Sequence, residues 1–267
     1  MEERTMKTTT EDRPDETRAV RETTQGTGEP HATQGRTIVM LDVDGTLVES
    51  APGILASVRH AFEELGYEVP DADTLNRFIG PPLVDAFAAC GMDRDTADEA
   101  VRAYRRVYAN PAFPDPGHPG ELIEGRLLGG VYQGIPDMIA ELKRRGHLVI
   151  TATAKPEAMA FPVLDHFGLT PLVDAVYGAT LDRSRNRKDQ VIAYALANVG
   201  YDPTRGDRAV MVGDRDNDAD GARANGLDCI GCRWGYAEEG ELEAHGAADI
   251  VDTPAELADA LDRYFAH

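Results

Sequence analysis

The sequence is poor in cysteine and has no long apolar run. Its 267 residues include only three cysteines, an odd number that does not describe a disulfide framework. No stretch approaches the roughly 18 consecutive apolar residues of a membrane span, and residues 1–30 lack the apolar core of a secretory signal. We therefore expect a cytoplasmic protein that has no membrane partner.

Positive charge is scarce as well. Lys and Arg number 27 against 47 Asp and Glu, which gives a formal net charge of −20 at pH 7. Nucleic acid polymers and anionic membrane surfaces bind through basic patches, so neither is an expected partner. Hydrophobic residues make up 42% of the chain, which is enough for one large α/β domain or a domain with a smaller companion. The oligomeric state does not follow from these counts.

The first 36 residues differ from the rest of the chain. They are rich in Thr, Glu, Asp and Arg and contain almost no large apolar side chain. Such a segment cannot bury enough surface to offset the entropy lost on ordering. We predict a disordered N-terminal tail over residues 1–36.

From Thr37 onward, short apolar runs alternate with amphipathic helical patterns. This alternation is typical of βαβ units around a parallel sheet and predicts an α/β fold. The predicted strands are residues 38–41, 148–152, 173–177, 209–212, 227–230 and 249–251. The predicted helices between them are residues 135–145, 157–167, 188–198 and 217–224.

About a hundred residues separate the first two predicted strands, far more than one crossover needs. Apolar residues at helical spacing predict helices over 54–65 and 97–108. Residues 110–120, with Gly129 and Gly130 further on, are rich in Pro and Gly, and we expect a long loop or hinge there instead of regular structure. An inserted helical domain explains this length. It gives a core of residues 37–52 and 132–267 and an insert of residues 53–131 that ends in the Pro/Gly-rich return segment.

Two acidic residues, Asp42 and Asp44, follow directly on the apolar run 37–41. The carboxyl ends of parallel strands open onto the ligand crevice, so side chains placed there meet substrate. An ordinary exit from a strand into a turn is the alternative, because Asp and Gly both suit tight turns. Three later segments favour the catalytic interpretation.

Two of these segments suit an anion. Residues 151–156, Thr-Ala-Thr-Ala-Lys-Pro, predict a strand that delivers a hydroxyl and free backbone N–H groups to a helix start, an arrangement that binds phosphate. A plain helix cap is the alternative for this segment. Lys188 opens another predicted helix, where it can neutralise a phosphate or hold a carboxylate, although a lone lysine is most often solvated surface.

The third segment is an acidic cluster after a strand. Residues 211–218 read Met-Val-Gly-Asp-Arg-Asp-Asn-Asp, and so many carboxylates repel one another unless a cation lies among them. Hard oxygen ligands favour Mg²⁺, which prefers one or two carboxylates plus substrate phosphate. The segment therefore predicts a magnesium site.

These motifs, in this order, resemble the haloacid dehalogenase superfamily: Asp-x-Asp-Gly-Thr-Leu at 42–47, a Thr followed by Lys-Pro at 153–156, Lys188, and Gly-Asp-x-x-x-Asp at 213–218. The resemblance extends from Thr37 to Leu261. Residues 77–83, 178–182 and 234–236 are similar to the branch that contains phosphoglycolate phosphatases and 5′-nucleotidase-like phosphatases. It implies a Rossmann-like parallel-sheet core with an inserted helical cap, and residues 111–130 look like an addition to the usual short return from cap to core.

Carried over residue by residue, the resemblance implies an aspartyl-phosphate mechanism. Asp42 is the implied nucleophile, and Asp44 is the implied general acid and then base. The implied catalytic residues are Asp42, Asp44, Thr153 and Lys188, with Thr151 as the alternative to Thr153. The implied substrate-binding residues are Val43, Asp44, Gly80, Thr153, Ala154 and Lys188. The implied Mg²⁺ ligands are Asp42, the Asp44 backbone carbonyl and Asp214, with Asp218 beside the metal and expected to orient Lys188 or a metal-bound water.

The implied function is Mg²⁺-dependent hydrolysis of a small phosphorylated metabolite, such as a nucleoside 5′-monophosphate, phosphoglycolate or a sugar phosphate. A sugar-phosphate mutase similar to β-phosphoglucomutase uses the same residues and is the first alternative. A non-enzymatic acidic Mg²⁺-binding domain is the second, since clustered Asp, Thr and Lys on a parallel sheet also suit that role.

Other candidate residues carry weaker signals. The cap cations Arg59, Arg77 and Arg105 are candidates to contact an anionic leaving group. Cys229 and Cys232 form a C-x-x-C pair, which is a redox or zinc pattern in other contexts. Here the pair falls on an apolar strand without a second ligand pair, and we interpret both cysteines as structural.

Overall fold

The computed structural model describes residues 35–266. Eleven strands in these residues are β1 (Thr37–Leu41), β2 (Val48–Glu49), β3 (Pro111–Pro114), β4 (Leu122–Glu124), β5 (Gly130–Val131), β6 (Leu148–Thr151), β7 (Thr153–Pro156), β8 (Gly178–Ala179), β9 (Arg208–Gly213), β10 (Asp228–Cys232) and β11 (Asp249–Val251). The helices are α1 (Ala51–Glu64), α2 (Ala72–Asn76), α3 (Leu83–Ala89), α4 (Arg94–Tyr108), α5 (Ile135–Arg144), α6 (Glu157–His166), α7 (Lys188–Asn198), α8 (Asp216–Ala224), α9 (Glu241–Ala244) and α10 (Pro254–Phe265).

Five strands form the central sheet, in the spatial order β11-β10-β9-β1-β6. All of its neighbouring strands run parallel. The side chains of β1 alternate between the two faces of the sheet, and all four from Ile38 to Leu41 are fully buried. Such double burial is expected of a parallel sheet covered by helices on both sides. This arrangement confirms the predicted α/β fold class.

Separate hydrophobic clusters cover the two faces of the sheet. Val39, Leu41, Val149 and Val212 pack with residues of α5, α6 and α10. On the opposite face, Ile38, Met40, Ile150 and Met211 pack with residues of α7 and α8. The carboxyl ends of β1, β6 and β9 therefore lie side by side at one edge of a rigid core.

Helices α1 to α4 lie between β1 and β6 in the chain and pack around a third cluster. Phe62, Phe78 and Phe87 form its centre, with ring centroids 4.9 Å apart for Phe78 and Phe87 and 5.5 Å apart for Phe62 and Phe87. We call the segment from α1 to α4 the cap. The chain enters the cap through β2 and returns to the core through β5, and these two strands form an antiparallel pair.

The structure contradicts two of the predicted elements. Residues 173–177 do not form a sheet strand and make one isolated bridge, between Ala175 and Ile150. Backbone hydrogen bonds from Asp174 to Val149, from Thr151 to Ala175 and from Thr153 to Tyr177 remain, but side chains interrupt the ladder between them. The Asp174 carboxylate accepts from the Val149 N–H, and the Thr151 hydroxyl bonds both the N–H and the carbonyl of Tyr177.

The expectation of a loop over residues 110–120 is also wrong in part. Residues Pro111–Pro114 form β3, which pairs antiparallel with β4 as a hairpin. Proline is tolerated in this position because a two-stranded ribbon consists only of edge strands. The Asp115 N–H closes the hairpin by donating to the Glu121 carbonyl at 3.0 Å.

The predicted N-terminal tail falls largely outside the described residues, since residues 1–34 are not among them. Its last residue, Arg36, donates its backbone N–H to the Asp207 carboxylate at 2.9 Å and pairs with the same carboxylate through its guanidinium. Within residues 35–266, no helix combines the length and the apolar composition that crossing a membrane requires.

Candidate active site

Asp42 stands where β1 ends, at the edge of the sheet formed by the carboxyl ends of the strands. It is 7% exposed, and its carboxylate is fixed from two sides. The Val43 N–H donates to Oδ1 at 2.8 Å, and the Lys188 ammonium lies 2.9 Å from Oδ2. Each oxygen of this carboxylate therefore has one partner, and the two contacts fix the orientation of the group.

Three buried carboxylates converge at this point. Asp42, Asp214 and Asp218 each offer an oxygen, and these oxygens all lie within 4.8 Å of one another. Lys188 Nζ contacts Asp218 Oδ1 at 2.6 Å as well as Asp42, and it donates to the Ala152 carbonyl at 3.1 Å. Within the described part of the chain, this lysine is the only cation that contacts the cluster, which leaves an excess of negative charge.

Burial and the charge excess together shift the pKa values of these groups. Burial, followed by the charges of Asp218 and Asp42, raises the pKa of Asp214 well above its usual range. Burial likewise raises the pKa of Asp218 to about 6, although Lys188 opposes the shift. Burial alone would lower the pKa of Lys188, but the two carboxylates outweigh it and leave that pKa raised. A divalent cation among these oxygens would relieve the repulsion.

The position of Asp214 is determined closely by its neighbours. Thr46 Oγ1 donates to Oδ1 at 2.9 Å, and the Tyr236 N–H donates to Oδ2 at 2.8 Å. Gly45 has φ +84°, and a Cβ at either Gly45 or Gly235 would overlap the Asp214 side chain. Backbone therefore approaches this carboxylate on two sides. Since the donor set consists of carboxylate oxygens, it fits a hard cation such as Mg²⁺.

Asp44 does not join the three-carboxylate cluster. Its carboxylate turns to Lys155, whose Nζ lies 2.6 Å from Oδ1 and 2.9 Å from Oδ2. Lys155 is nearly inaccessible, with 4% of its side chain exposed against 16% for Asp44. The lysine also lies over the Tyr108 ring, 5.1 Å from its centroid. Only the side chain of Asp44 is removed from the cluster, so the implied metal contact through its backbone carbonyl is not affected.

The two threonines of the second motif have different surroundings. Thr153 and Ala154 line the cavity next to Asp42, and Thr153 Oγ1 accepts from the Lys155 N–H at 3.2 Å. Thr151 is fully buried, and its hydroxyl is engaged by the backbone of Tyr177. The geometry therefore offers Thr153, not Thr151, to a ligand.

A cavity of about 140 Å³ lies between the cap and the carboxyl ends of the strands. On the core side its wall includes Asp42, Asp44, Thr153, Ala154, Lys155, Thr180, Arg183 and Asn186. On the cap side it includes Ile54, Phe78, Gly80, Pro81, Pro82, Leu83, Val101, Tyr104, Arg105 and Tyr108. Val43 and Lys188 are buried and do not line this cavity. They contact Asp42 instead.

Polar contacts hold the cap against the core around this cavity. Arg215, the residue after Asp214, donates from Nη1 to the Ile79 carbonyl at 2.7 Å. Arg183 of the core pairs with Asp98 of α4 at 2.7 Å. The Tyr236 hydroxyl accepts from the Ala51 N–H at 2.9 Å. Two of these links begin next to Asp214. Arg215 follows Asp214 in the chain, and Tyr236 donates its backbone N–H to the Asp214 carboxylate.

Several site residues had no role in the sequence interpretation. Lys155 lies inside the quoted Thr-Ala-Thr-Ala-Lys-Pro motif, so a signal for it was present. Arg183 and Tyr104 carried none, because only the tertiary fold brings them to the cavity. Cys229 and Cys232 are buried in β10, and burial raises the pKa of both thiols well above the usual range.

Comparison with known proteins places this geometry in a family. The family model for haloacid dehalogenase-like hydrolases matches residues 39–232. The 5′-nucleotidase of Pseudomonas aeruginosa is 34% identical over 227 residues, which cover 85% of this chain and 96% of that protein. The tyrosine-protein kinase PtkA of Mycobacterium tuberculosis is 36% identical over 215 residues, which cover 80% of this chain and only 65% of PtkA.

The fold has close counterparts among solved structures. The crystal structure of a predicted phosphatase from Clostridium acetobutylicum superposes with a TM-score of 0.75 and 32% sequence identity. The match covers 86% of this chain and all of that one. The predicted resemblance to the superfamily is thereby confirmed, and this chain belongs to the haloacid dehalogenase-like hydrolase family.

Proposed function

We propose that this protein is a Mg²⁺-dependent phosphatase that hydrolyses a small phosphorylated metabolite through an aspartyl-phosphate at Asp42. One observation carries the proposal: the Asp42 carboxylate belongs both to the wall of the cavity and to the buried carboxylate cluster. A group in that position can meet a phosphate on one side and a cation on the other. The names of relatives such as the P. aeruginosa 5′-nucleotidase support the same class of reaction.

In the first displacement, an Asp42 oxygen attacks phosphorus and the bond from phosphorus to the leaving oxygen breaks. Asp44, which takes up a proton from solvent once the substrate phosphate has drawn Lys155 away, gives that proton to the leaving oxygen, which departs as a hydroxyl group. The contacts of Asp42 with the Val43 N–H and Lys188 hold the carboxylate in one orientation. A fixed nucleophile avoids the entropy cost of orienting it during the reaction.

In the second displacement, water attacks the phosphorus of the aspartyl-phosphate. Asp44 accepts a proton from this water, inorganic phosphate leaves, and the Asp42 carboxylate is restored. Both steps require Asp44 to exchange protons, whereas its carboxylate is paired with Lys155 in this structure. We infer that an incoming phosphate draws the Lys155 ammonium away, because a phosphate dianion competes with one carboxylate for the same cation.

The remaining contacts suit a phosphate. Thr153 and the Ala154 backbone lie on the cavity wall, where a hydroxyl and an N–H can donate to phosphate oxygens. Gly80, with φ +107°, lines the opposite side of the cavity and allows the cap loop to approach closely. Lys188 supplies a fixed positive charge behind Asp42. The Thr153 hydroxyl and the Ala154 N–H would bind phosphate oxygens, and Lys188 would offset their charge from behind Asp42.

Mg²⁺ would be held by the carboxylates of Asp42 and Asp214 and by the Asp44 backbone carbonyl, with Asp218 orienting Lys188. When bound, it supplies positive charge against the phosphoryl oxygens. The support is the buried, negatively charged cluster described above and the raised pKa of Asp214.

Release of inorganic phosphate tests this proposal. The panel contains 2-phosphoglycolate, nucleoside monophosphates, both anomers of glucose 1-phosphate and p-nitrophenyl phosphate, each with Mg²⁺ or EDTA. We expect Mg²⁺-dependent release that falls about a thousandfold or more in Asp42→Asn. Asp137→Asn, on the exposed face of α5, is the matched control and should retain full activity. Turnover of Asp42→Asn within tenfold of the native protein would exclude the covalent mechanism, and conversion of glucose 1-phosphate without release would indicate a mutase.

The 36% sequence identity to the tyrosine-protein kinase PtkA favours one other candidate function, phosphoryl transfer to tyrosine. In that reaction the phosphoryl group leaves ATP and arrives on a phenolic oxygen instead of on water. Incubation with radiolabelled ATP and a tyrosine-containing peptide separates the two candidates. Label on the peptide indicates transfer, whereas label released from ATP as inorganic phosphate, with none on the peptide, indicates hydrolysis.

A further inference from the structure

Arg105 is a cation without a counter-charge at the cavity wall. It lies on α4, is half-buried, and lines the same cavity as Asp42. Within residues 35–266, no carboxylate lies in ion-pair range of its guanidinium, and no side-chain hydrogen bond satisfies it. Burial, and then the positive charge of Arg183, lower its pKa. The other two cap cations considered from the sequence, Arg59 and Arg77, are exposed and do not line the cavity.

Arg183 reaches the same part of the cavity from the core. It is the only non-glycine residue with positive φ in the described part of the chain, at 66°. A left-handed backbone costs an L-residue about 1 kcal/mol, and such strain concentrates at ligand sites. Its guanidinium pairs with Asp98 at 2.7 Å. Two guanidinium groups and one carboxylate leave one positive charge unbalanced here.

This charge is separate from the phosphate end of the cavity. Asp98, the partner of Arg183, lies on α4 about two helical turns before Arg105. The acids at the phosphate end pair with other cations, Asp44 with Lys155 and both Asp42 and Asp218 with Lys188. The cavity is also lined by apolar and aromatic side chains, including Ile54, Phe78, Val101, Tyr104 and Met159, which cannot neutralise a guanidinium.

We propose that Arg105 and Arg183 form a second anion subsite, which binds a carboxylate or second phosphate on the leaving part of the substrate. The inference rests on the proposed function and narrows it to small phosphomonoesters whose leaving group is itself anionic. A cavity of about 140 Å³ accommodates a short linker between the two charges more readily than a nucleoside. The anion would complete the ion pairing of Arg105, and a substrate with an uncharged leaving group would bind less tightly because it leaves this half-buried guanidinium unpaired.

Substrates that differ in the charge of the leaving group test the subsite. We would measure kcat/KM for 2-phosphoglycolate, for its neutral amide, and for ethylene glycol bisphosphate, with the native protein, Arg105→Met and the exposed cap control Arg59→Met. We expect Arg105→Met to lower kcat/KM for the two anionic substrates by about 10- to 100-fold and to leave the amide unchanged. Comparison of the two anionic substrates shows whether carboxylate or phosphate is preferred. Equal losses for the amide and the acid, or no preference of the native protein for the acid, would overturn the subsite.

A binding measurement keeps this test independent of catalysis. In the Asp42→Asn background, calorimetric titration of 2-phosphoglycolate should show affinity that the added Arg105→Met change weakens by a similar factor, while Arg105→Lys retains part of it. Hydrolysis of p-nitrophenyl phosphate by the native protein reports the proposed function alone. Binding of the acid no tighter than of the amide would overturn the subsite even where that hydrolysis is intact.

Discussion

The Lys155 ammonium bonds both carboxylate oxygens of Asp44, at 2.6 and 2.9 Å. The two residues lie 111 positions apart in the chain, and the lysine has almost no exposure to water. In this arrangement the proposed general acid is an ion-paired carboxylate. The resting geometry therefore differs from the reacting one that we propose, in which the substrate phosphate draws Lys155 away from Asp44.

Removing either member of this pair should destabilise the protein more than removing both. Lys155→Met leaves Asp44 without its partner, and Asp44→Asn leaves a buried ammonium unpaired. We expect each single change to lower the free energy of unfolding by about 3 kcal/mol. Urea denaturation at pH 7 gives these values, and the double variant should recover most of the loss. Additive losses in the double variant would show that the pair has no energetic coupling.

A methyl group at Gly45 should disturb Asp214 through direct overlap. Gly45 and Gly66 both have positive φ, +84° and +72°, but a Cβ at Gly66 meets nothing within 4 Å. Gly66→Ala should therefore cost only the backbone strain, about 1 kcal/mol. Gly45→Ala should cost at least twice as much and abolish the rise in Tm on addition of Mg²⁺. An equal loss of stability in the two variants would mean that the loop yields without displacing Asp214.

Asp214→Asn should abolish metal binding and should preserve or raise the stability of the metal-free protein. Because burial and two neighbouring acids raise the pKa of Asp214, its charged form is disfavoured in the folded protein. The neutral amide removes that repulsion, and its oxygen can accept from the Tyr236 N–H while its NH2 can donate to the Thr46 hydroxyl. With EDTA present, we expect this variant to unfold at a Tm equal to or above that of the native protein. Addition of Mg²⁺ should raise the Tm of the native protein only. An equal rise in the variant would show that Asp214 is not a ligand of the metal.

Arg215 should affect substrate binding more than chemistry. It joins the turn between β9 and α8, which carries Asp214, to the cap by donating to the Ile79 carbonyl at 2.7 Å, and it pairs with Glu241 at 2.8 Å. Arg215→Gln loses a charged hydrogen bond to the cap loop that carries Gly80, so we expect KM to rise about tenfold with kcat nearly unchanged. Steady-state kinetics with the best panel substrate measures both constants. Arg205→Gln, at an exposed site, is the control, and a fall in kcat alone would contradict a role in positioning the cap.

The sequence predicted the parallel-sheet core and the meeting of its acidic residues because both depend on local patterns. Short apolar runs between turn residues favour buried strands, and the polar residues that follow β1 and β9 then meet at one edge of a parallel sheet. Asp42, Asp214 and Asp218 come together for that reason. The same reasoning failed for residues 173–177, where hydrogen bonds to the side chains of Asp174 and Thr151 interrupt the backbone ladder. It failed again at β3, where only the pairing with β4 makes a proline-containing strand possible.

By itself the sequence determined the α/β class, the interruption by a helical insert and the order of the acidic motifs. Only the tertiary structure decided that Asp44 pairs with Lys155, that Thr153 and not Thr151 faces the cavity, and that Arg105 and Arg183 line the same cavity. The physical reason is that a strand or helix is selected by neighbours a few residues apart, whereas each of these contacts depends on how two distant elements pack. Asp98 and Arg183, 85 positions apart, become neighbours only when the cap lies against the core.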